Sequence, residues 1–323
     1  MNNVKKSVSD IAHNHCHYLM NLQNVHGVGY GFKYINKIDT LEPCIHILVE
    51  NKIDKKYLPS NNIIPKTYMG IKTDVLHVGK FKYLSKDKVR QKFRPLVGGC
   101  GISVNKDIGT LGCIVYKVVG KALRYFILSN NHVLADMNAN PLGSPVIQPT
   151  WENGGSTNGD IIAHLDNFIR IEPFNPNDPN EQMYPPVNFV DAAIAKITNS
   201  SLVSNKIYRI NSITGLGSPV LNLPVKKVGL VTGLTNGKIL TTELSLRTDF
   251  KDNDSRRVFY EDQAMAQMTA SSGDSGSVTL SLSNEIVGLN FAADLELGHV
   301  VMNPIKTVLN YLNVDIYMGD TEL

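Results

Sequence analysis

Between about residue 96 and residue 308 the chain holds no apolar run long enough, and no helical period regular enough, to make a core helix. Short apolar stretches at residues 112–119, 124–128, 190–197, 229–232, 277–282 and 285–291 are separated by clusters of Gly, Pro, Asn and Asp. Runs of this kind bounded by turn formers read as strands, and their spacing predicts an all-β barrel or sandwich. The chain then closes on a helix. Asn303 is expected as its N-cap, Pro304 at its first position, and Ile305, Val308, Leu309 and Leu312 as its apolar stripe.

Residues 1–80 have a different texture and predict a small N-terminal α/β module. Ser7 or Ser9 is expected to cap a helix carrying Val8, Ile11, Tyr18, Leu19 and Leu22. A strand-like alternation of Val28, Tyr30, Phe32 and Tyr34 follows, with Gly27, Gly29 and Gly31 on the opposite face, where another element can approach closely. Further strands are expected at 45–49 and 73–78. Residues 81–95 form a charged connector ending at Arg94-Pro95, and 96–323 is the main domain, divided into 96–200, 201–302 and a terminal helix at 303–315.

Composition excludes several classes. The chain has 323 residues, 32 basic and 29 acidic side chains and a formal net charge of +3, which is no nucleic-acid footprint. Its basic cluster at 80–94 reads as a solvated linker. The apolar runs are too short to cross a membrane, and the first twenty residues lack the apolar core of a signal peptide. Cys16, Cys44, Cys100 and Cys113 contain no CxxC pair and are read as reduced thiols, so a cytoplasmic location is expected.

The most informative segment is Ser271-Ser272-Gly273-Asp274-Ser275-Gly276-Ser277. A serine between glycines can present its hydroxyl on a tight turn while backbone N–H groups converge beside it, as oxyanion stabilisation requires. A serine nucleophile needs a base, and His132 stands in Leu128-Ser129-Asn130-Asn131-His132-Val133-Leu134-Ala135, where an apolar strand runs into a short helical turn. His164 is the competing histidine. Asp191, opening Asp191-Ala192-Ala193-Ile194-Ala195, is placed to orient the imidazole, with Asp166 as rival. Asn130 and Asn131 read as turn formers.

Three motifs in the order His132, Asp191, Ser275 resemble those of the chymotrypsin-like (trypsin-like) serine proteases, in their bacterial intracellular form, over roughly residues 96–308. NNHVLA resembles the family's histidine motif, DAAIA its aspartate motif and GDSGS its serine motif. The resemblance implies two packed six-stranded β-barrels, with His132 and Asp191 from the first and Ser275 from the second. It implies that Ser275 attacks a peptide carbonyl, that His132 takes and returns the proton, and that the N–H groups of Gly273 and Ser275 form the oxyanion hole. The stretch Leu289-Asn290-Phe291-Ala292 is similar in position to the family's substrate-pairing edge, so Asn290 and Phe291 are expected to bind substrate. Thr269, six residues before Ser275, takes the place of the specificity residue; it is not acidic, so a preference for Arg or Lys is not expected.

The family's cysteines beside the histidine and the serine are absent here. In zymogen-type members the Asp before the serine pairs with an N-terminus made by cleavage; no such cleavage site is evident, and Asp274 is expected to bond within its own turn. The function implied is a serine endopeptidase acting on polypeptides, needing no cofactor or metal, with no nucleic-acid or membrane partner. The alternative is a latent or partner-activated protease whose residues 1–80 dock an activating or inhibiting protein. An α/β-hydrolase would require Gly at 277, where Ser stands. His13, His15, Cys16 and His17 suggest zinc, but no second ligand pair is visible at metal spacing. HGVGYG is not a dinucleotide fingerprint, and Lys227 through Thr235 read as a strand and turn of the second barrel, with a lining of the substrate cleft as the alternative.

Overall fold

The computed structural model describes residues 2–35, 38–79, 81–83, 91–251 and 254–319. At the N-terminus, helices α1 (Asn2–Asn14) and α2 (His17–Met20) precede strands β1 (Val25–Ile35), β2 (Ile38–Val49), β3 (Ile71–His77) and β4 (Lys82–Tyr83). Helix α1 begins upstream of both Ser7 and Ser9, so neither is its cap. The break between α1 and α2 changes the helical phase: Leu19, Met20 and Leu22 are buried while Tyr18 is exposed.

The first half of the main domain contains β5 (Gly101–Val104), β6 (Asp107–Thr110), β7 (Cys113–Val119), β8 (Ala122–Ser129), the short helix α3 (Asn131–Leu134), β9 (Pro145–Ile147), β10 (Ile161–Phe168) and β11 (Ala193–Ile197). The second half contains β12 (Pro224–Gly229), β13 (Gly233–Asp249), β14 (Arg257–Met268), β15 (Val278–Ser281), β16 (Glu285–Asp294), β17 (His299–Pro304), α4 (Ile305–Leu312) and β18 (Asp315–Ile316). The first-half strands, joined at one edge by the C-terminal β18, form one sheet in the order β18-β7-β8-β11-β10-β9-β5-β6. In the second half, β14, β17, β16, β15, β12 and β13 pair in that order, and β13 also pairs with β14. An apolar cluster crosses between the halves, joining Leu128 and Ile194 to Leu280, Leu289 and Val308.

Two expectations for the main domain also change. Residues 230–232 are a turn and not a strand, because the N–H groups of Val231 and Thr232 donate to the Asp274 carboxylate and not to a neighbouring strand. Asn303 lies within β17, which runs on to Pro304, so the cap position of α4 falls on Pro304 and not on Asn303; the Asn303 side chain is buried and accepts from the Asp191 N–H.

The N-terminal strands extend the second-half sheet. β1 pairs antiparallel with β13, matching Gly27 to Leu246 and Tyr30 to Thr242, so the sheet runs through the expected domain boundary. The glycine face of β1 makes this possible: a Cβ on Gly29 would meet Thr241 Cγ2 at 2.5 Å, and one on Gly31 would meet the His46 ring at 2.0 Å. The His46 ring is fixed between Thr241 Oγ1 and the Phe32 carbonyl, both at 2.9 Å. Val8, Ile11, Leu19 and Met20 share a core with Phe174 and Phe259 of the main domain. Gly31→Val is expected to overpack this joint and cost about 1–3 kcal/mol or more, visible as a lower Tm in thermal unfolding; an unchanged Tm would contradict the packing described.

Candidate active site

Strand register brings His132 and Asp191 together. β8 pairs with β11 so that Ala193 faces Ser129 and Ile194 faces Leu128. Asp191, two residues before Ala193, therefore lies beside the start of α3, which carries His132. His132 Nδ1 is 2.5 Å from Asp191 Oδ2, and the His132 backbone N–H donates to Asp191 Oδ1 at 3.2 Å. The aspartate is fully buried and the imidazole is about 10% exposed, so little water screens the pair. Asn130 Nδ2 donates to the Asp191 carbonyl at 2.7 Å, and the Asp191 N–H donates to Asn303 Oδ1 at 3.1 Å. Asn303 Nδ2 in turn donates to Gln263 Oε1 at 2.6 Å. Asn131 Nδ2 donates to the Ile169 carbonyl and to Asn138 Oδ1. Asn130 and Asn131 thus do more than form a turn.

Ser275 lies on the turn before β15, and first-half residues hold that turn. The Thr110 N–H donates to the Ser275 carbonyl at 2.8 Å, and the Thr110 hydroxyl donates to the Gly273 carbonyl at 2.7 Å. The neighbouring Gly109 packs on Val133, the residue after His132: a Cβ at 109 would meet Val133 Cγ1 at 2.5 Å. Ser275 and His132 are in this way tied to adjacent residues of β6. Gly273 has φ 103° and Gly276 φ 87°, backbone that favours glycine. A Cβ on Gly276 would also lie 2.0 Å from Ser129 Oγ. The N–H groups of Asp274, Gly276 and Ser277 donate to the carbonyls of Ser271, Asn290 and Asp274. These bonds set the peptide planes on both sides of the serine.

Asp274 bonds within its turn, through the Ser271 N–H at 3.1 Å, but its charge is answered from elsewhere. Lys227 Nζ lies 2.8 Å from Asp274 Oδ2, and both side chains are fully buried. The Thr232 hydroxyl donates to the same oxygen at 2.6 Å, and the N–H groups of Val231 and Thr232 donate to Oδ1. Burial pulls the Lys227 ammonium below its usual pKa, and Asp274 opposes that shift. Sequence reasoning missed Lys227. Its signal was a lysine on the inward face of a strand, one of the neighbouring pair Lys226-Lys227.

Among the remaining expected residues, Asn290 lies against the turn. Its Nδ2 donates to Ser277 Oγ at 3.0 Å and its Oδ1 accepts from Thr279 Oγ1 at 2.7 Å, so the side chain ties strands together. Phe291 is buried with its ring centroid 4.8 Å from that of Tyr260. Thr269 is exposed just beyond β14, and the rivals His164 and Asp166 are exposed on β10.

Potential metal ligands lie elsewhere. Cys16, His17 and Glu261 offer one ligand atom each within 4.8 Å of one another, as do Cys44, His46 and Asp74. Burial raises the pKa of both the Cys16 thiol and the Glu261 carboxyl, which favours their protonated, weakly ligating forms. In the second group, both His46 nitrogens face the partners named above. The four cysteines are buried and form no disulfide. Among the described residues, no helix is long and apolar enough to cross a membrane.

No family profile and no curated protein matches the chain. Among solved structures, it is similar to Thermobifida fusca protease A, with TM-score 0.49 and 17% identity over 69% of this chain and 98% of that one. It is also similar to a glutamic acid specific serine protease, with TM-score 0.48 and 16% identity over 69% and 100%. Cellulomonas bogoriensis chymotrypsin gives TM-score 0.44 and 14% identity over 69% and 98%. What the site can do chemically follows from its own geometry: a serine on a tight turn between glycines, and an imidazole oriented by a buried carboxylate.

Lys227→Met would leave Asp274 buried without its cation. Breaking such a pair is expected to cost about 3–5 kcal/mol, measured by denaturant unfolding. A loss below 1 kcal/mol would show that the pair does not hold the turn.

Proposed function

We propose that the chain is a serine endopeptidase of chymotrypsin-like, double-barrel architecture, using His132, Asp191 and Ser275. The observation that carries this is the short bond between His132 Nδ1 and the buried Asp191, beside a turn that holds Ser275 between two glycines of positive φ. Asp191 fixes the tautomer that leaves Nε2 as the basic nitrogen and stabilises the imidazolium formed in the reaction. Ser275 Oγ attacks the peptide carbonyl as His132 takes its proton. The N–H groups of Gly273 and Ser275 receive the developing oxyanion. The imidazole then returns the proton to the leaving amine, and water completes hydrolysis by the same route. The six cyclic pairings of the second half support a barrel there. No cofactor enters this scheme, and the substrate is a polypeptide.

Labelling with a fluorophosphonate probe tests the proposal. Wild-type protein is expected to be labelled at Ser275, with labelling abolished in Ser275→Ala and His132→Ala. Single triad losses are expected to lower turnover on the order of 10⁴–10⁶-fold. Wild type, Phe81→Asp and Lys82→Pro all remaining unlabelled would reject the assignment.

A further test addresses the support for Asp191. Asn303 is a positioning residue, since it reaches the imidazole only through the Asp191 backbone. Small misplacements of catalytic groups can cost about 10²-fold in rate. Asn303→Ala is therefore expected to lower kcat by up to that factor with KM little changed. A change confined to KM would remove Asn303 from this role.

A further inference from the structure

One edge of β16 is filled in three successive steps. β15 pairs along it from Ile286 to Leu289. At Asn290 the backbone of the nucleophile turn takes over: the Gly276 N–H donates to the Asn290 carbonyl, and the Asn290 N–H donates to the Ser277 carbonyl, both at 2.9 Å. Beyond that point the edge would be open, because β17 pairs with Ala292 and Ala293 from the other side. It is covered by the chain's own connector. β4 pairs antiparallel there, Tyr83 opposite Ala292 and Lys82 opposite Ala293. An open strand edge beside a nucleophile is where an extended peptide adds by backbone hydrogen bonding.

The polarity and the anchor are both informative. From Lys82 to Tyr83 the connector advances from Ala293 towards Ala292, that is, towards the turn carrying Ser275. This is the direction required of a peptide whose carbonyl is to reach the serine from its acyl side. The residue before the pair, Phe81, is only 2% exposed and lies in an apolar cluster with Phe291, Tyr260, Met137 and Ile171. Met137 follows α3, so this cluster adjoins the histidine element as well as β16. Gly79, with φ 66°, turns the chain in against Asp294 at the end of β16.

We propose that residues 81–83 occupy in cis the β16 edge at Ala292–Ala293, on which a substrate strand is expected to pair, and that the recess around Phe81 extends this edge as a subsite for a large aromatic residue. The proposal rests on the protease assignment for its purpose, since the subsite then serves the acyl side of the substrate. A peptide substrate reaches the edge only when the connector leaves it. The preferred substrate carries an aromatic side chain at the position of Phe81.

The test uses full-length protein in a Ser275→Ala background and a fluorescent peptide with the sequence of residues 79–84, Gly-Lys-Phe-Lys-Tyr-Leu, followed by anisotropy. Phe81→Asp should eject the connector, and the peptide is expected to bind that double variant at least tenfold more tightly than Ser275→Ala alone. Replacing the peptide's Phe by Ala should cost at least tenfold. If Phe81→Asp does not fold, Lys82→Pro acts on the backbone instead, because proline removes a donor and fixes φ. Equal or absent binding to the opened and unopened proteins would overturn the proposal. Fluorophosphonate labelling of the same opened variants with Ser275 intact separates the two ideas. Labelling without peptide binding removes the subsite and leaves the protease. Binding without labelling leaves the subsite and removes the protease.

Discussion

A carboxylate withdrawn from water has to be answered by charge and hydrogen bonds, and Asp274 sets that requirement at the centre of this molecule. Its two oxygens take one ammonium, one hydroxyl and three backbone N–H groups, and four of those five donors come from residues 227–232. Residues 230–232 therefore cannot continue the strand that Pro224–Gly229 begins. The turn that carries Ser275, in its own sequence a Gly-Ser loop, is held to a fixed frame by the residue next to the serine. The cation belongs to the same chain, so the turn does not depend on a terminus released by cleavage to neutralise Asp274.

The two halves hold each other's candidate site residues. Thr110, from the first half, anchors the turn of Ser275 through both its backbone and its hydroxyl. Asn303, from the second half, anchors the backbone of Asp191 and is itself fixed by Gln263. Neither half contains a complete site, and an apolar cluster spanning both keeps them in register. With the candidate site at such a seam, core packing and site geometry are one problem: a shift of β17 against β11 would move the carboxylate that contacts the imidazole.

Much of this was legible in the sequence because the relevant signals are local. Turn residues between short apolar runs marked β7, β8, β11, β15 and β16, but not the long strands β13 and β14, whose polar and apolar residues are mixed along their length. Three short motifs marked His132, Asp191 and Ser275, of which the structure brings the first two into direct contact. What escaped were partners chosen by tertiary pairing. Lys227 reads as part of a strand and turn, and nothing near it in sequence marks Asp274 as its partner. Asn303 carried every local mark of a helix cap, but the strand ends one residue later than that reading allows and its amide is spent on Asp191. The N-terminal segment looked separable because its own texture is α/β. Its glycine face, noted as a place for close approach, is where the sheet continues into β13.

That continuity explains how the connector comes to lie on β16. β1 is fixed to β13, β2 to β1 and β3 to β2, and the Val78 N–H donates to the Val49 carbonyl at 3.0 Å. The chain therefore leaves the N-terminal strands from a fixed point, turns at Gly79, and reaches the β16 edge within four residues. A tether this short holds its own segment at a high effective concentration, which a free peptide has to overcome.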